Sequence, residues 1–216
     1  MVPYTLVRSG RKTLALTIDR EGRLVVRAPR RAGLDRIEGF IREKEPWILR
    51  KQAEVRFLRP APVTGAAGET LPFRGERLTL VPGGGTEIER RGGFLYLPPG
   101  AGSGALADWL RAQALPVLEE NTARRAAAMG AAYGGMRLTE ARGRWGSCNA
   151  QNVIRLSWRL VLCPPAAADY VVVHELCHIR HKDHGRAFWA AVEEVCPDWR
   201  AQRRWLREHR GIMELF

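Results

Sequence analysis

The sequence predicts an α+β fold in two regions. Residues 1–100 form a β-rich N-terminal region with an amphipathic helical segment near 34–57, and residues 101–216 form a second region organised around one motif-bearing helix. Three observations carry this: short apolar bursts alternate through the first hundred residues, the apolar spacing switches to a helical period between Leu34 and Phe57, and a His-Glu-x-x-His string lies on an apolar-striped segment after Pro164-Pro165.

In chain order, Tyr4–Val7, Leu14–Ile18 and Leu24–Val26 read as strands, with Asp19-Arg20-Glu21-Gly22 turning the last two, so a three-stranded meander is expected. Leu34, Ile37, Ile41, Ile48 and Val55 then recur near helical spacing, which predicts one or two amphipathic helices. Pro46 suits the start of the second, where a missing N–H costs least. Pro60 to Gly68 reads as a linker, and Arg77–Val81 and Phe94–Leu97 as hairpin-like pieces around glycine clusters. After the break at Pro98–Gly104, the Ala- and Leu-rich run Ala105–Met129 predicts a long helix entered through Ser103.

Composition excludes several classes. Seven Trp, six Phe and four Tyr in 216 residues supply too much large apolar surface for a disordered chain. The 22 Gly and 13 Pro cluster rather than repeat, which rules out a collagen-like chain. No apolar run reaches the roughly 18–20 residues that span a bilayer, and MVPYTLVRSGRK puts charges where a signal peptide has its apolar core, so no membrane association and a cytoplasmic location are expected. Cys148, Cys163, Cys177 and Cys196 form no CxxC pair and read as small buried hydrophobes. The net charge is +12, and residues 1–60 alone hold 15 Lys and Arg against 7 Asp and Glu. Such a basic face suits a nucleotide or nucleic-acid partner. That 31 of the 35 basic residues are Arg equally fits a GC-rich genome. Nothing in the sequence specifies an oligomeric state.

The chemistry concentrates in Tyr170–Gly185, where four of the five His fall. His174 and His178 are one turn apart, so on a helix at about 100° per residue they emerge about 40° from one another and can close on one metal ion. Glu175 is rotated by about 100°, near such an ion without binding it. Two neutral nitrogens beside a free carboxylate are what a metal-activated water needs, with Glu175 as the proton carrier. His184, ten residues after His174 and past a helix end expected at Lys182-Asp183, offers a third ligand if the chain folds back through Gly185 at positive φ. A carboxylate from the following helix, Glu193 or Glu194, is the competing third ligand. The offsets match HExxHxxGxxH except that His181 stands where that pattern has its turn Gly, and His181 is left as a spare imidazole. Zn2+ is the expected metal, because it favours tetrahedral nitrogen sites with one open position and lowers the pKa of bound water to roughly 7.

With these residues in view, the sequence resembles the YgjP-like metal-dependent hydrolase family, related to the SprT-like zinc proteases. The resemblance runs over almost the whole chain and is carried by Arg144-Trp145-Gly146-Ser147-Cys148, Ile154–Leu160, Tyr170–Leu176, His184, Phe188-Trp189, Pro197 and Trp205-Leu206, with Trp47-Ile48 in the front half. Ser157 departs from it, standing where many relatives are expected to have Asn. The resemblance implies a zincin-like catalytic region with a sheet edge beside the HExxH helix, to which extended peptides add by β-pairing. Val153–Leu162 is the expected edge. Arg144 then reads either as a stabiliser of developing negative charge or as a plain surface residue beside a core-plugging Trp145. Phe188 and Trp189 read as anchors of the ligand loop.

The resulting expectation is a zinc metallopeptidase that cleaves a polypeptide substrate. Two alternatives accompany it: a phosphohydrolase acting on UTP-type nucleotides, as described for some of this family, and a SprT-like protease acting on nucleic-acid-bound proteins. The first lacks a GxxxxGK[ST] phosphate loop and the second lacks a zinc-finger pair or aromatic RNA-binding signature.

Overall fold

A computed structural model describes residues 2–19, 21–57 and 61–216, with the side chains of residues 54–57 outside the description. The chain forms two compact units, Met1–Pro60 and Ala61–Phe216. The strands over 70–97, grouped by the sequence with the N-terminal region, pack within the second unit, because their buried faces supply its core.

In the first unit, β1 (Tyr4–Ser9), β2 (Ala15–Ile18) and β3 (Leu24–Pro29) form a sheet of order β1-β3-β2. The expected meander is corrected here: β1 runs parallel to β3, and only β2 and β3 make a hairpin. The reason is the apolar content of β3. Leu24, Val26 and Ala28 are all fully buried on one face, so this strand takes the centre. The β2–β3 turn is tied by Asp19, whose Oδ1 accepts from the backbone N–H of Glu21 and Arg23, with Gly22 at φ +78°. Helices α1 (Leu34–Glu43) and α2 (Glu45–Phe57) cover the sheet through Ile37, Ile41 and Ile48. Pro46 stands second in α2, in the first turn, where a missing N–H costs no intrahelical bond. Leu34 is exposed, and the expectation for Val55 falls on a side chain outside the described residues.

The second unit opens with β4 (Thr70–Phe73), β5 (Glu76–Pro82), β6 (Glu89–Arg91) and β7 (Phe94–Leu97), in the order β4-β5-β7-β6. The two sequence-predicted pieces, β5 and β7, lie side by side in parallel, each with its own antiparallel partner. Helix α3 (Ser103–Met129) buries Leu106, Leu110, Ala114, Leu118, Thr122 and Ala126, a stripe at every fourth residue. Ser103 is its first residue rather than its cap, which is Gly102. Gly130 ends it at φ +56°, the left-handed turn that glycine adopts without strain.

A second sheet follows, built from β8 (Met136–Thr139), β9 (Gly146–Cys148) and β10 (Ile154–Ser157) in the order β8-β10-β9. A 3-10 turn (Trp158–Leu162), α4 (Pro165–Cys177), α5 (Arg186–Val195), α6 (Trp199–Glu208) and a last 3-10 turn (Arg210–Glu214) complete the unit. All four cysteines are free, and Cys163, Cys177 and Cys196 are buried. No helix among the described residues is long and apolar enough to cross a membrane.

Candidate metal centre

Helix α4 is apolar nearly all round. Val171, Val172, Val173, Leu176 and Cys177 are buried, so the helix runs through the core and is held there by packing rather than by propensity. Its start is fixed by Pro164-Pro165, and its entry by Asp169, which accepts from Arg125 Nε at 2.8 Å and so pins α4 to α3. His174 and Glu175 occupy its last turn. The helix stops at Cys177, short of the expected end at Lys182-Asp183. Three backbone bonds make the turn: Ile179 N–H to Leu176 O, and Arg180 N–H and His181 N–H to Cys177 O. His178 therefore sits at the helix end rather than inside it.

The chain then returns His184 to the same place. His174, His178 and His184 bring one ring nitrogen each to within 4.8 Å of one another, and this is the metal-capable group found among the described residues. Ring centroids are separated by 5.0 Å (His174–His178), 5.0 Å (His174–His184) and 4.7 Å (His178–His184). His174 Nε2 and His184 Nε2 stand 3.1 Å apart. Nitrogens 2.0–2.1 Å from a tetrahedral ion are separated by roughly 3.3 Å, so the pair is at ligand spacing. His178 Nδ1 lies 2.9 Å from the carbonyl oxygen of His181, which can only accept. That bond places the proton on Nδ1 and frees Nε2 as a lone-pair donor. Burial, reinforced by the two other imidazoles and Arg203, lowers the pKa of His174 to about 3, and burial lowers that of His178. Neutral rings are the form that a metal binds. On donor type, spacing and protonation, the three imidazoles fit a dication.

Glu193 and Glu194, the alternative ligands, lie outside this group: both are exposed on α5, and Glu193 pairs with Arg200. The His181 side chain is also outside it; its contribution is the carbonyl that orients His178. Gly185 is not at positive φ. It lies at φ −71° and ψ −176° as the cap of α5, and the reversal is made instead by the 178–181 turn and by Asp183 Oδ1 accepting from Gly185 N–H. The loop is moored at two further points, with Arg180 Nη2 donating to Gly130 O at 2.9 Å and Lys182 Nζ to Asn152 Oδ1 at 3.1 Å. Beneath the triad, Phe188 is fully buried with its ring 4.6–4.9 Å from all three imidazoles. Trp189 stacks on Trp199.

Glu175 is only 6% exposed, and burial pushes its carboxyl up to about 7 against the opposing pull of the Arg144 guanidinium. It faces β9 at Gly146. A Cβ on that glycine would lie 2.7 Å from Glu175 Cγ and 2.8 Å from Oε1, so a side chain there would displace the carboxylate. His174 and Glu175 open into a cavity of about 360 Å³ shared with Arg144, Trp145, Tyr170 and Arg203. Arg144 is exposed on its wall, and Trp145 is half-buried against the core, as the reading of that segment as a surface arginine beside a core-plugging tryptophan expects.

The expected edge strand Val153–Leu162 is corrected. Its strand portion, β10, is the central strand, and Trp158–Leu162 is a buried 3-10 turn. The edge beside Glu175 is β9, a three-residue strand pairing Gly146, Ser147 and Cys148 with β10. Sequence pattern missed it because a Gly-Ser-Cys stretch has no apolar alternation. Tyr170, with Oη 3.5 Å from His174 Nδ1, and Arg203 were also missed as site residues; Tyr170 lies one turn before His174, the only local signal it carried.

A family model described as YgjP-like, metallopeptidase domain, matches residues 12–209. No curated protein and no solved structure matches the chain.

Proposed function

The chain belongs to the YgjP-like metallopeptidase family, and from that premise we propose that it is a zinc peptidase in which His174, His178 and His184 hold the metal and Glu175 is the general base. The observation that carries the reading is the convergence of three neutral imidazole nitrogens beside a buried carboxylate that binds none of them. Zinc supplies Lewis acidity toward the scissile carbonyl and its attacking water. Glu175 takes a proton from the attacking water and returns it to the leaving amine. Arg144, on the same cavity wall, is suited to the negative charge that develops on the carbonyl oxygen. An extended substrate fits beside β9, which as an edge strand is suited to strand addition, and Gly146 lets the chain approach Glu175 closely. Tyr170 and the His181 carbonyl orient His174 and His178.

The test uses the purified chain with denatured casein and elemental analysis. His178→Ala is expected to lose stoichiometric zinc and activity together, while Glu175→Gln keeps zinc and loses turnover by about 10³-fold or more. Full zinc stoichiometry in the His178 variant, or unchanged cleavage by the Glu175 variant, would refute the assignment.

A further inference from the structure

The cavity beside Glu175 is far more cationic than the reaction at one peptide bond requires. Arg142 and Arg144 enter it from the loop before β9, and Arg203, Arg207 and Arg210 line it from α6 and the turn that follows. All five are exposed, and Glu175 is the one carboxylate among the lining residues. Among the described residues none of the five forms an ion pair. Arg210 donates to the Gly143 carbonyl, and Arg203 lies over the Trp189 ring at 5.0 Å. Like charges gathered around a concave wall repel one another and focus their field into the cavity, and an incoming anion relieves that repulsion.

We infer that this wall is a specificity subsite for acidic side chains of the polypeptide substrate, next to the bond presented to Glu175; the inference rests on the peptidase reading. The geometry favours an extended chain. Arg203 and Arg207 are one turn apart on α6, about 6 Å along its axis, and Arg210 follows in the 3-10 turn after it. An extended peptide presents side chains on one face every roughly 6.8 Å, so carboxylates at alternate positions match the spacing of Arg203 and Arg207. The P-loop mode of polyphosphate binding uses converging backbone N–H groups of a glycine-rich loop, whereas the cations here are side chains spread over a loop, α6 and the turn after it.

The test measures binding apart from cleavage. Fluorescein-labelled decapeptides carrying Asp-x-Asp or the matched Asn-x-Asn are titrated by anisotropy into zinc-loaded Glu175→Gln protein. The acidic peptide is expected to bind at least about tenfold tighter, with the advantage shrinking between low and high salt. It should fall to about threefold or less in Arg142→Gln/Arg207→Gln and reverse toward a Lys-x-Lys peptide in Arg207→Glu; these two arginines have no side-chain partner among the described residues, so the fold is not at stake. Equal affinity for the acidic and neutral peptides overturns the subsite. UTP displacing the acidic peptide with higher affinity overturns its assignment to a polypeptide. Cleavage of both peptides by the unsubstituted enzyme without preference removes the subsite alone. Intact binding preference with neither peptide cleaved upholds the anionic subsite and removes the peptidase reading.

Discussion

Glu175 and Gly146 occupy one space, and that pairing makes the sharpest residue-level predictions. Gly146→Ala forces the carboxylate aside, since its Cβ would stand 2.7 Å from Glu175 Cγ. A displacement of about 1 Å at a reacting group costs on the order of 10²-fold, so turnover should fall by about that factor while zinc content, measured by elemental analysis, stays at the wild-type level. Arg144→Met removes the cation that lowers the Glu175 pKa. The acidic limb of the kcat/KM profile should therefore move to higher pH, and a profile that loses amplitude without moving would contradict the electrostatic role. The adjacency of His174, Glu175 and His178 is readable in the sequence because their spacing is a local property. Gly146 was not, because its reason for being glycine lies on an element about thirty residues away.

At the scale of elements, the loop from His178 to His184 decides whether the third imidazole arrives. Its moorings are the turn closed on Cys177, Arg180 on the α3 terminus and Lys182 on Asn152. Arg180→Ala should weaken zinc binding by about tenfold, read by competition with a chromogenic chelator, with little change in the unfolding midpoint. Phe188→Ala, which empties the floor beneath all three rings, should lower both, at about 3–5 kcal/mol of stability. The end of α4 was misjudged from sequence because the apolar period continues to Ile179, while two of the three bonds that close the turn come from Arg180 and His181 beyond it. The edge strand beside Glu175 was misplaced for a related reason. Strong alternation marks β10, yet alternation identifies a well-buried strand, and such a strand takes the middle of a sheet.

For the molecule as a whole, two compact units, with one metal-capable group among the described residues, give a calorimetric expectation. Zinc at 100 times its Kd should add about 2.7 kcal/mol to the unit spanning Ala61–Phe216, raising that transition alone, while the Met1–Pro60 transition stays in place. In the metal-free chain, His174 is neutral when folded down to about pH 3 but protonates near 6.5 when unfolded, so its contribution to stability drains as pH falls through that window. Glu175 acts oppositely: its folded pKa of about 7 exceeds the unfolded 4.5, so its penalty is relieved as pH falls from 7 to 4.5. The two trends offset between about 6.5 and 4.5, and below 4.5 only the His174 loss remains. Comparison with His174→Asn by denaturant unfolding should show the wild type losing more stability over that acid range. By itself, the sequence determined the mixed fold class, the long α3, the apolar α4 and the His-Glu-x-x-His pairing, because each is written in spacing along one segment. The order of the first sheet, the identity of the edge strand, the return of His184 and the gathering of five arginines were decided only by tertiary structure, because each depends on which distant surfaces bury one another.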